Sequence, residues 1–276
     1  MWVKGNLHCH SNQSADGEVP VAELCQWYRT REYGLLAITD HNTVTDLTVA
    51  SPQEQLTLVP RSVEIGDQIE NILAIGVTEM PPQGQTSQET IDGIRSRGGI
   101  AILAHPNWRW NHWTADELMS LQGYDGIEIV NTHMRECEGH ESALHLFDEV
   151  LLRGKRIFAF GNDDAHNIRD GQIIGQAWNM IQAESREYGD LKDAIRLGQF
   201  YVSTGGRISK MMMQDGWFSL ECPVESRITV VVNGERIWWG TGKMAQYRLR
   251  PGELYVRAEI DSPEGRAYTQ AAVPGG

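Results

Sequence analysis

Short apolar runs alternate with amphipathic segments over the first 205 residues of the chain. Runs of this length are typical of buried strands, whereas apolar residues at spacings of three and four are typical of helices. Strands are predicted at 35–39, 56–65, 72–77, 100–104, 126–130 and 157–160. Helices are predicted to begin at Pro20 and at Ser51, and to cover 86–97, 115–121 and 142–153. This alternation favours a parallel α/β barrel.

The pattern changes near Gly205 and Gly206. From Arg207 onward, short β-type runs follow one another at 228–232, 237–239, 246–249 and 254–260. Asn233 and Gly234, between the first two runs, are a hairpin signal. We therefore predict a barrel domain over 1–205 and a small antiparallel β domain over 206–276, which we interpret as a packing appendage.

Two histidines lie two residues apart near the start of the chain. His8 and His10 would point to the same face of a strand, where two neutral imidazoles make half of a metal site. Asp16, on the polar loop that follows, could bring a carboxylate to the same ion. A bare pair of this kind is also compatible with a buried strand that carries two hydrogen-bonded histidines.

Further ligand-type residues follow the later apolar runs. They are Asp40 and His41, Glu64, His105, and Asp163, Asp164 and His166. In a barrel of parallel strands, the residues at the carboxyl ends of the strands converge on one face, where such folds carry out their chemistry. The recurrence therefore indicates a metal site rather than a single coincidental pair.

These motifs resemble those of the PHP (polymerase and histidinol phosphatase) superfamily of metal-dependent phosphoesterases. The resemblance depends on His8-Cys9-His10, Asp16-Gly17, Thr39-Asp40-His41, Glu64, His105-Pro106 and Asp164-Ala165-His166. Within that superfamily, the segments 147–166, 194–205 and 255–267 resemble the carbaryl-hydrolase-like branch. The resemblance implies a distorted (β/α)7-type TIM-like barrel, followed here by the small antiparallel β domain.

The resemblance also implies how the ligands are shared between ions. One ion would be held by His8, His10, Glu64 and Asp164, with Glu64 as the bridging carboxylate. Asp164 is chosen over Asp163 only because the family motif has Asp-x-His spacing. A second ion would use Asp16, His41 and His166.

A third ion would share Glu64 and use His105 together with a histidine on the strand after the glutamate, where this chain has Asn71. Asparagine is neutral and a poor ligand for zinc-like ions, so we expect two divalent ions rather than three, drawn from Zn, Mn or Fe. His133 could replace the missing ligand, but the sequence favours a surface histidine in a polar loop.

Composition narrows the classes of partner. A formal net charge of -13 disfavours a protein that grips nucleic acid, but it does not disfavour a phosphorylated small molecule, because bound cations would supply positive charge. No transmembrane run or signal peptide is recognisable, and the four cysteines show no paired spacing, so a cytoplasmic location without membrane contact is expected. A homo-oligomer is left open.

The expected reaction is hydrolysis of small phosphate esters by a metal-bound hydroxide. Outside the metal ligands, the sequence offers no Ser or Cys nucleophile beside a base. The candidates for proton transfer are His41 or His166, if displaced from an ion, and Asp40 acting through water. Arg109, Arg135 or Arg207 would hold the phosphate. The tryptophan-rich loop over 106–113 would form either an aromatic wall of the active site or a cover over the rim of the barrel.

Two other functions stay open at this point. The branch resemblance implies that carbamate, amide or carboxylic ester hydrolysis could use the same metal site. A non-catalytic PHP module that binds metal only for stability is the second alternative. Retention of the whole ligand set except at Asn71 speaks against that module.

Overall fold

The structure is a computed structural model that describes residues 1–50, 55–66, 69–82 and 86–273. Within them, the helices are α1 (Val21–Arg29), α2 (Ser87–Ser96), α3 (Ala115–Ser120), α4 (Leu144–Leu152) and α5 (Tyr188–Arg196), with 3-10 turns at Leu47–Val49 and Thr132–Arg135. The strands are β1 (Trp2–Asn6), β2 (Tyr33–Leu36), β3 (Thr57–Leu58), β4 (Val63–Ile65), β5 (Ile72–Ile75), β6 (Ile100–Leu103), β7 (Asn107–Trp108), β8 (Asn111–His112), β9 (Gly126–Asn131), β10 (Phe158–Asn162), β11 (Trp178–Gln182), β12 (Phe200–Ser203), β13 (Lys210–Gln214), β14 (Trp217–Val232), β15 (Glu235–Arg248), β16 (Val256–Ser262) and β17 (Gly265–Thr269).

Most of these strands belong to two sheets in a mixed α/β fold. One has ten strands in the order β13-β14-β16-β17-β12-β11-β1-β2-β3, with β15 paired to β14. The other has five strands in the order β10-β9-β6-β5-β4. The described strand ladders do not close into one sheet, so the closed barrel stays a prediction.

The expectation of an all-parallel strand arrangement is wrong. Parallel pairs join β1 to β2, β2 to β3, β6 to β9 and β9 to β10. Strand β1 is antiparallel to β11, and β5 is antiparallel to both of its neighbours. For β4 and β5 the reason is the short connection 66–71, which cannot carry the crossover that a parallel pair requires.

Local sequence explains where the helices begin. Pro20 precedes α1, whose buried residues Val21, Leu24 and Tyr28 face the core. Helix α2 begins with a capping box in which Thr86 and Glu89 satisfy each other's backbone N–H groups. The helix predicted from Ser51 lies outside the described residues.

Among the helices that the structure describes, none combines the length and the hydropathy needed to cross a lipid bilayer.

The C-terminal strands continue the sheet that contains β1. The predicted hairpin turn is confirmed: Asn233 and Gly234 join β14 to β15 with φ values of 48° and 77°, as a tight type I′ turn requires. Strand β17 pairs with β12, and Arg257 of β16 forms an ion pair of 2.6 Å with Asp148 of α4. The sheet therefore runs across residue 205, and the division into two domains stays a prediction.

Candidate metal centre

Two isolated bridges join the two sheets next to most of the predicted ligands. An isolated parallel bridge joins Cys9, just beyond β1, to Ala165, just beyond β10. There the N–H of His10 donates to the carbonyl of Ala165 over 2.9 Å, and the N–H of Asp164 donates to the carbonyl of His8 over 3.0 Å. A second isolated bridge joins His41 to Glu64. Ligands from distant parts of the sequence are thereby brought together.

Four buried side chains form the first group of possible ligands: His8, His10, Glu64 and Asp164. The Nε2 atoms of His8 and His10 lie 3.2 Å and 3.1 Å from Oε2 of Glu64. Both Nε2 atoms also lie 3.1 Å from Oδ1 of Asp164. Two nitrogens and two carboxylate oxygens thus surround one point.

The second group consists of His10, Asp16, His41 and His166. Oδ2 of Asp16 lies 3.2 Å from Nε2 of His41 and 3.4 Å from Nε2 of His166. The Nδ1 atom of His41 lies 3.3 Å from Oε2 of Glu64, so Glu64 contacts both groups. The two groups contain the residues of the two predicted ligand sets, with His10 added to the second, and their role as ligands stays a prediction.

Glu128, which the sequence analysis missed, orients His8. It lies in the middle of β9, fully buried, and Nδ1 of His8 is 2.9 Å from its Oε1. Asn131, Asn162 and the backbone N–H of His105 donate to the same carboxylate. A His8 ring that donates through Nδ1 presents the lone pair of Nε2 to Glu64 and Asp164, as in other metal-binding histidines.

The buried side chains of the first group strongly shift one another's pKa values. Burial lowers the pKa of His8 and of His10, but the neighbouring carboxylates more than offset this and raise the pKa of His8 well above its usual range and that of His10 to about 9. Burial likewise raises the pKa of Glu64 and of Asp164, but the nearby imidazoles lower it well below the usual range. The site therefore stabilises positive charge at its centre.

The donor set fits a divalent cation. Oδ1 of Asp164 is buried and accepts no hydrogen bond within the described residues, although two imidazole nitrogens lie close to it. Nitrogen and carboxylate oxygen donors together suit zinc, manganese or iron ions. A cation between these atoms would take the place of the imidazole protons that the raised pKa values of His8 and His10 indicate.

Asn71 lies where the third ion would need a ligand. Its Nδ2 donates to Oε1 of Glu64 over 2.7 Å and is 3.5 Å from Nε2 of His105. Nε2 of His105 is 3.1 Å from the same Glu64 oxygen, and His105 belongs to neither group of four. Because Asn71 offers a hydrogen-bond donor to Glu64, the space between Asn71, His105 and Glu64 is poorly suited to a cation.

Asp40 and Asp163 each precede a predicted ligand and contact other parts of the chain. Within the described residues, the Asp40 carboxylate accepts from the N–H and the hydroxyl of Ser11, both over 2.6 Å, and from the Thr45 hydroxyl over 2.7 Å. Asp163 accepts from Tyr28 and from Asn6. Burial raises the pKa of Asp163 to about 7. Both aspartates hold the backbone that carries the ligands.

Two of the predicted ligands have unusual backbone conformations. His105 has a φ of 25° and Asp164 has a φ of 54°, in the region that side chains other than glycine rarely adopt. Such conformations persist where the surrounding structure enforces them, and they concentrate at functional sites.

His133 lies against the centre, in contrast to the surface position that the sequence favoured. Its ring stacks on that of His166 with a centroid distance of 4.5 Å, and its Nδ1 is buried without a hydrogen-bond partner in the described residues. The 3-10 turn Thr132–Arg135, capped by Asn131, directs the ring inward.

The three candidate arginines lie in different places. Arg109 pairs with Glu138, and Arg135 pairs with Glu141 and donates to the carbonyl of Gln172. Arg207 pairs with Glu264 over 3.0 Å and lines a cleft that includes none of the eight predicted metal ligands. Arg135 also lines a cleft without these ligands, but it shares its 3-10 turn with His133, whose ring stacks on that of His166.

The tryptophans of the loop after His105 also differ from one another. The ring of Trp108 meets that of His105 edge-on at 5.2 Å, whereas Trp113 is buried in the core. Trp110 is exposed to solvent beside Arg109. Only Trp108, among the described tryptophans of this loop, contacts a predicted ligand.

Two proteins of one archaeon resemble parts of this chain in sequence. No family model matches the chain. It is 28% identical over 148 residues to an uncharacterized protein of Methanocaldococcus jannaschii, which covers 49% of this chain and 85% of that protein. A second uncharacterized protein of this archaeon is 27% identical over 182 residues, covering 64% of this chain and 69% of that protein.

One solved structure is similar to nearly the whole chain. It is a two-domain protein from Bacteroides vulgatus, described as containing a predicted PHP-like metal-dependent phosphoesterase. The TM-score is 0.56 and the identity is 14%, over 99% of this chain and 95% of the other. The chain therefore has the fold of a PHP-like protein, as the sequence predicted. The carbaryl-hydrolase-like branch stays a prediction.

Proposed function

We propose that this chain is a metal-dependent hydrolase of small phosphate esters. The observation that carries the proposal is the pair of four-residue donor groups that share His10 and meet at Glu64. His8, His10, Glu64 and Asp164 would hold one divalent ion, and Asp16, His41 and His166 the other. Ions bound there would polarise the ester and make water a better nucleophile.

The thiol and hydroxyl groups between His8 and Asp16 already donate hydrogen bonds, that of Ser14 to the Asp16 carboxylate over 2.8 Å. Cys9 is fully buried, and its thiol donates to the carbonyl of Ala37. The hydroxyl of Ser11 is likewise buried and donates to Asp40. Water is therefore the nucleophile in the reaction that we propose, and no covalent enzyme intermediate is required.

Two rings of the centre reach solvent and can transfer a proton to the leaving oxygen. The side chain of His41 is 28% exposed and that of His166 is 16% exposed, whereas His8 and His10 are fully buried. We assign the proton transfer to His41 or His166 on this ground, with the ring acting once it is displaced from the ion that it would bind. Asp40 holds the loop at Ser11, which precedes Asp16.

Arg135 is the side chain that we propose for holding the phosphate. It lies on the same 3-10 turn as His133, whose ring stacks on His166. Its guanidinium could exchange Glu141 for a phosphate oxygen pair, which a lysine cannot bind in a bidentate manner. Arg109, on the loop after His105, is the second candidate.

The test is a substrate panel with the metal-loaded protein. We expect turnover of phosphomonoesters, its loss on chelation, and a KM raised roughly tenfold in Arg135→Lys or Arg109→Lys. Arg207→Lys is the matched control and should leave KM unchanged, because Arg207 lies in a separate cleft. No turnover of any substrate by the metal-loaded protein would overturn the proposal in favour of a non-catalytic module.

A second reaction, cleavage of carbamates, amides or carboxylic esters, is favoured by Trp108. Its ring against His105 would give an apolar wall to a neutral aryl substrate. Faster turnover of a neutral aryl ester than of any phosphomonoester, unaffected by the arginine substitutions, would establish this alternative.

A further inference from the structure

Strand β15 leaves one edge of the large sheet open. It is paired with β14 from Glu235 to Arg248, with shifts of register at Ile237 and Lys243, and no described strand pairs with its other edge. A long edge strand presents a row of N–H and C=O groups that can pair with another chain, and proteins usually block such edges with charges, proline or a covering element. A Cβ added at Gly242 would meet nothing within 4 Å, so the face of the sheet toward which it points is also open there.

The side chains at the centre of β15 are apolar and exposed. Trp238 is 46% exposed, Trp239 is 63% exposed and Met244 is 57% exposed. Lys243 is also exposed, and the guanidinium carbon of Arg227 already lies 4.8 Å from the centroid of the Trp239 ring. This segment, 238–244, is hereafter the β15 edge.

We propose that two copies of this chain associate through the β15 edge, as antiparallel strands about a twofold axis at Thr241. If that axis is perpendicular to the sheet, the rotation leaves each side chain on the same face of the sheet. Residues that lie opposite one another must therefore point to the same face, so their sequence numbers differ by an even number. Centring on Thr241 places Trp238 opposite Met244 of the second copy and Trp239 opposite Lys243 of the second copy.

Each of these pairs is favourable. Side chains directly opposite one another on antiparallel strands have Cβ atoms about 5 Å apart, within reach for an aromatic ring and a thioether or an ammonium group. Trp238 with Met244 is a sulfur–aromatic pair, and Trp239 with Lys243 is a cation–π pair. Gly240 opposite Gly242 leaves room for the tryptophan rings next to the axis, since the Trp238 ring already leans over Gly240.

Self-association fits the edge better than other occupants do. Every side chain of the β15 edge finds a complementary one on the same segment, which an unrelated strand would have to supply by coincidence. A membrane surface is disfavoured because the chain carries a net charge of -13 and cell membranes are anionic. The dimer forms without metal and does not depend on the proposed function.

Sedimentation of the full chain over a roughly hundredfold range of concentration tests the dimer. We expect a concentration-dependent dimer and, in Trp239→Lys, a dissociation constant raised roughly tenfold or more, because two cation–π pairs become two like-charge pairs. The double variant Trp239→Lys with Lys243→Glu should regain the dimer, since opposite charges then face each other.

Trp217→Lys is the matched control, because Trp217 is an exposed tryptophan on β14 outside the β15 edge. It should dimerise like the wild type. If Trp239→Lys fails to fold, Lys243→Glu alone should still weaken the dimer. A monomeric wild type at all concentrations, or a Trp239→Lys dimer as tight as wild type, would overturn the inference.

Discussion

At the scale of single residues, Glu64 is the side chain on which the centre depends most. One of its oxygens lies within 3.3 Å of nitrogens of His8, His10 and His41, and the other lies 3.1 Å from Nε2 of His105. A carboxylate in this position can contact two cations at once, and it is negatively charged because the surrounding imidazoles lower its pKa.

Glu64→Gln should therefore cost both metal and activity. The amide has the same shape but lacks the charge that the ions would share, so we expect most of the metal to be lost and turnover to fall roughly a hundredfold or more. Elemental analysis and the substrate panel measure the two effects. Glu225→Gln, at an exposed position of β14, should change neither; full metal content in Glu64→Gln would exclude a bridging role.

Glu128→Gln tests whether the Glu128 carboxylate orients the His8 ring through its Nδ1 atom. Loss of the negative charge at Nδ1 of His8 should weaken metal binding roughly tenfold to a hundredfold while the protein stays folded. Competition with a fluorescent chelator measures the affinity, and circular dichroism checks the fold. Unchanged affinity would mean that Glu128 serves only the buried network of Asn131 and Asn162.

The grouping of His8, His10, Glu64 and Asp164 was predictable from sequence because these residues follow apolar runs in a regular order. Glu128 was not recognised, because a single carboxylate inside the run 126–130 resembles an ordinary strand position. The signal was present, since a buried carboxylate requires partners. His133 was placed at the surface because sequence cannot show that the turn after β9 folds back onto His166.

At the scale of elements, helix positions were easier to predict than strand pairing. Helix α2 agrees with the predicted 86–97 to within one residue at each end, because Thr86 and Glu89 form the cap and Gly98 and Gly99 follow the last turn. The run 56–65 instead forms two short strands, β3 and β4, in different sheets. Sheet partners depend on tertiary packing, which apolar runs alone do not encode.

The hairpin between β14 and β15 offers an element-scale test. Gly234 has a φ of 77°, and a Cβ there would come no closer than 3.4 Å to Leu152. Gly234→Ala should thus destabilise the fold by about 1 kcal/mol through backbone strain rather than through a clash. Gly189→Ala, exposed on α5 with open space and no positive φ, should instead be neutral or stabilising in the same urea unfolding series.

At the scale of the whole molecule, the metal centre lies where two sheets join through single bridges. Bound ions would hold together predicted ligands that follow strands of both sheets, so metal binding should stabilise the whole fold. At free metal about one hundred times Kd the gain is about 2.7 kcal/mol. Calorimetry should then show a Tm higher by roughly 5 to 10 °C than in chelator, a shift that Glu64→Gln should lose.

This metal-induced shift should grow as the pH rises. In the metal-free protein, the raised pKa of His10 contributes stability that is fully present below its ordinary pKa near 6.5 and is lost as the pH rises through about 9. Metal must displace the same proton, so its affinity increases over that interval. We therefore expect the difference in Tm between metal-loaded and metal-free protein to be larger at about pH 8 than at about pH 6. Calorimetry at both values measures it, and a difference that shrinks with rising pH would show that His10 does not bind the ion.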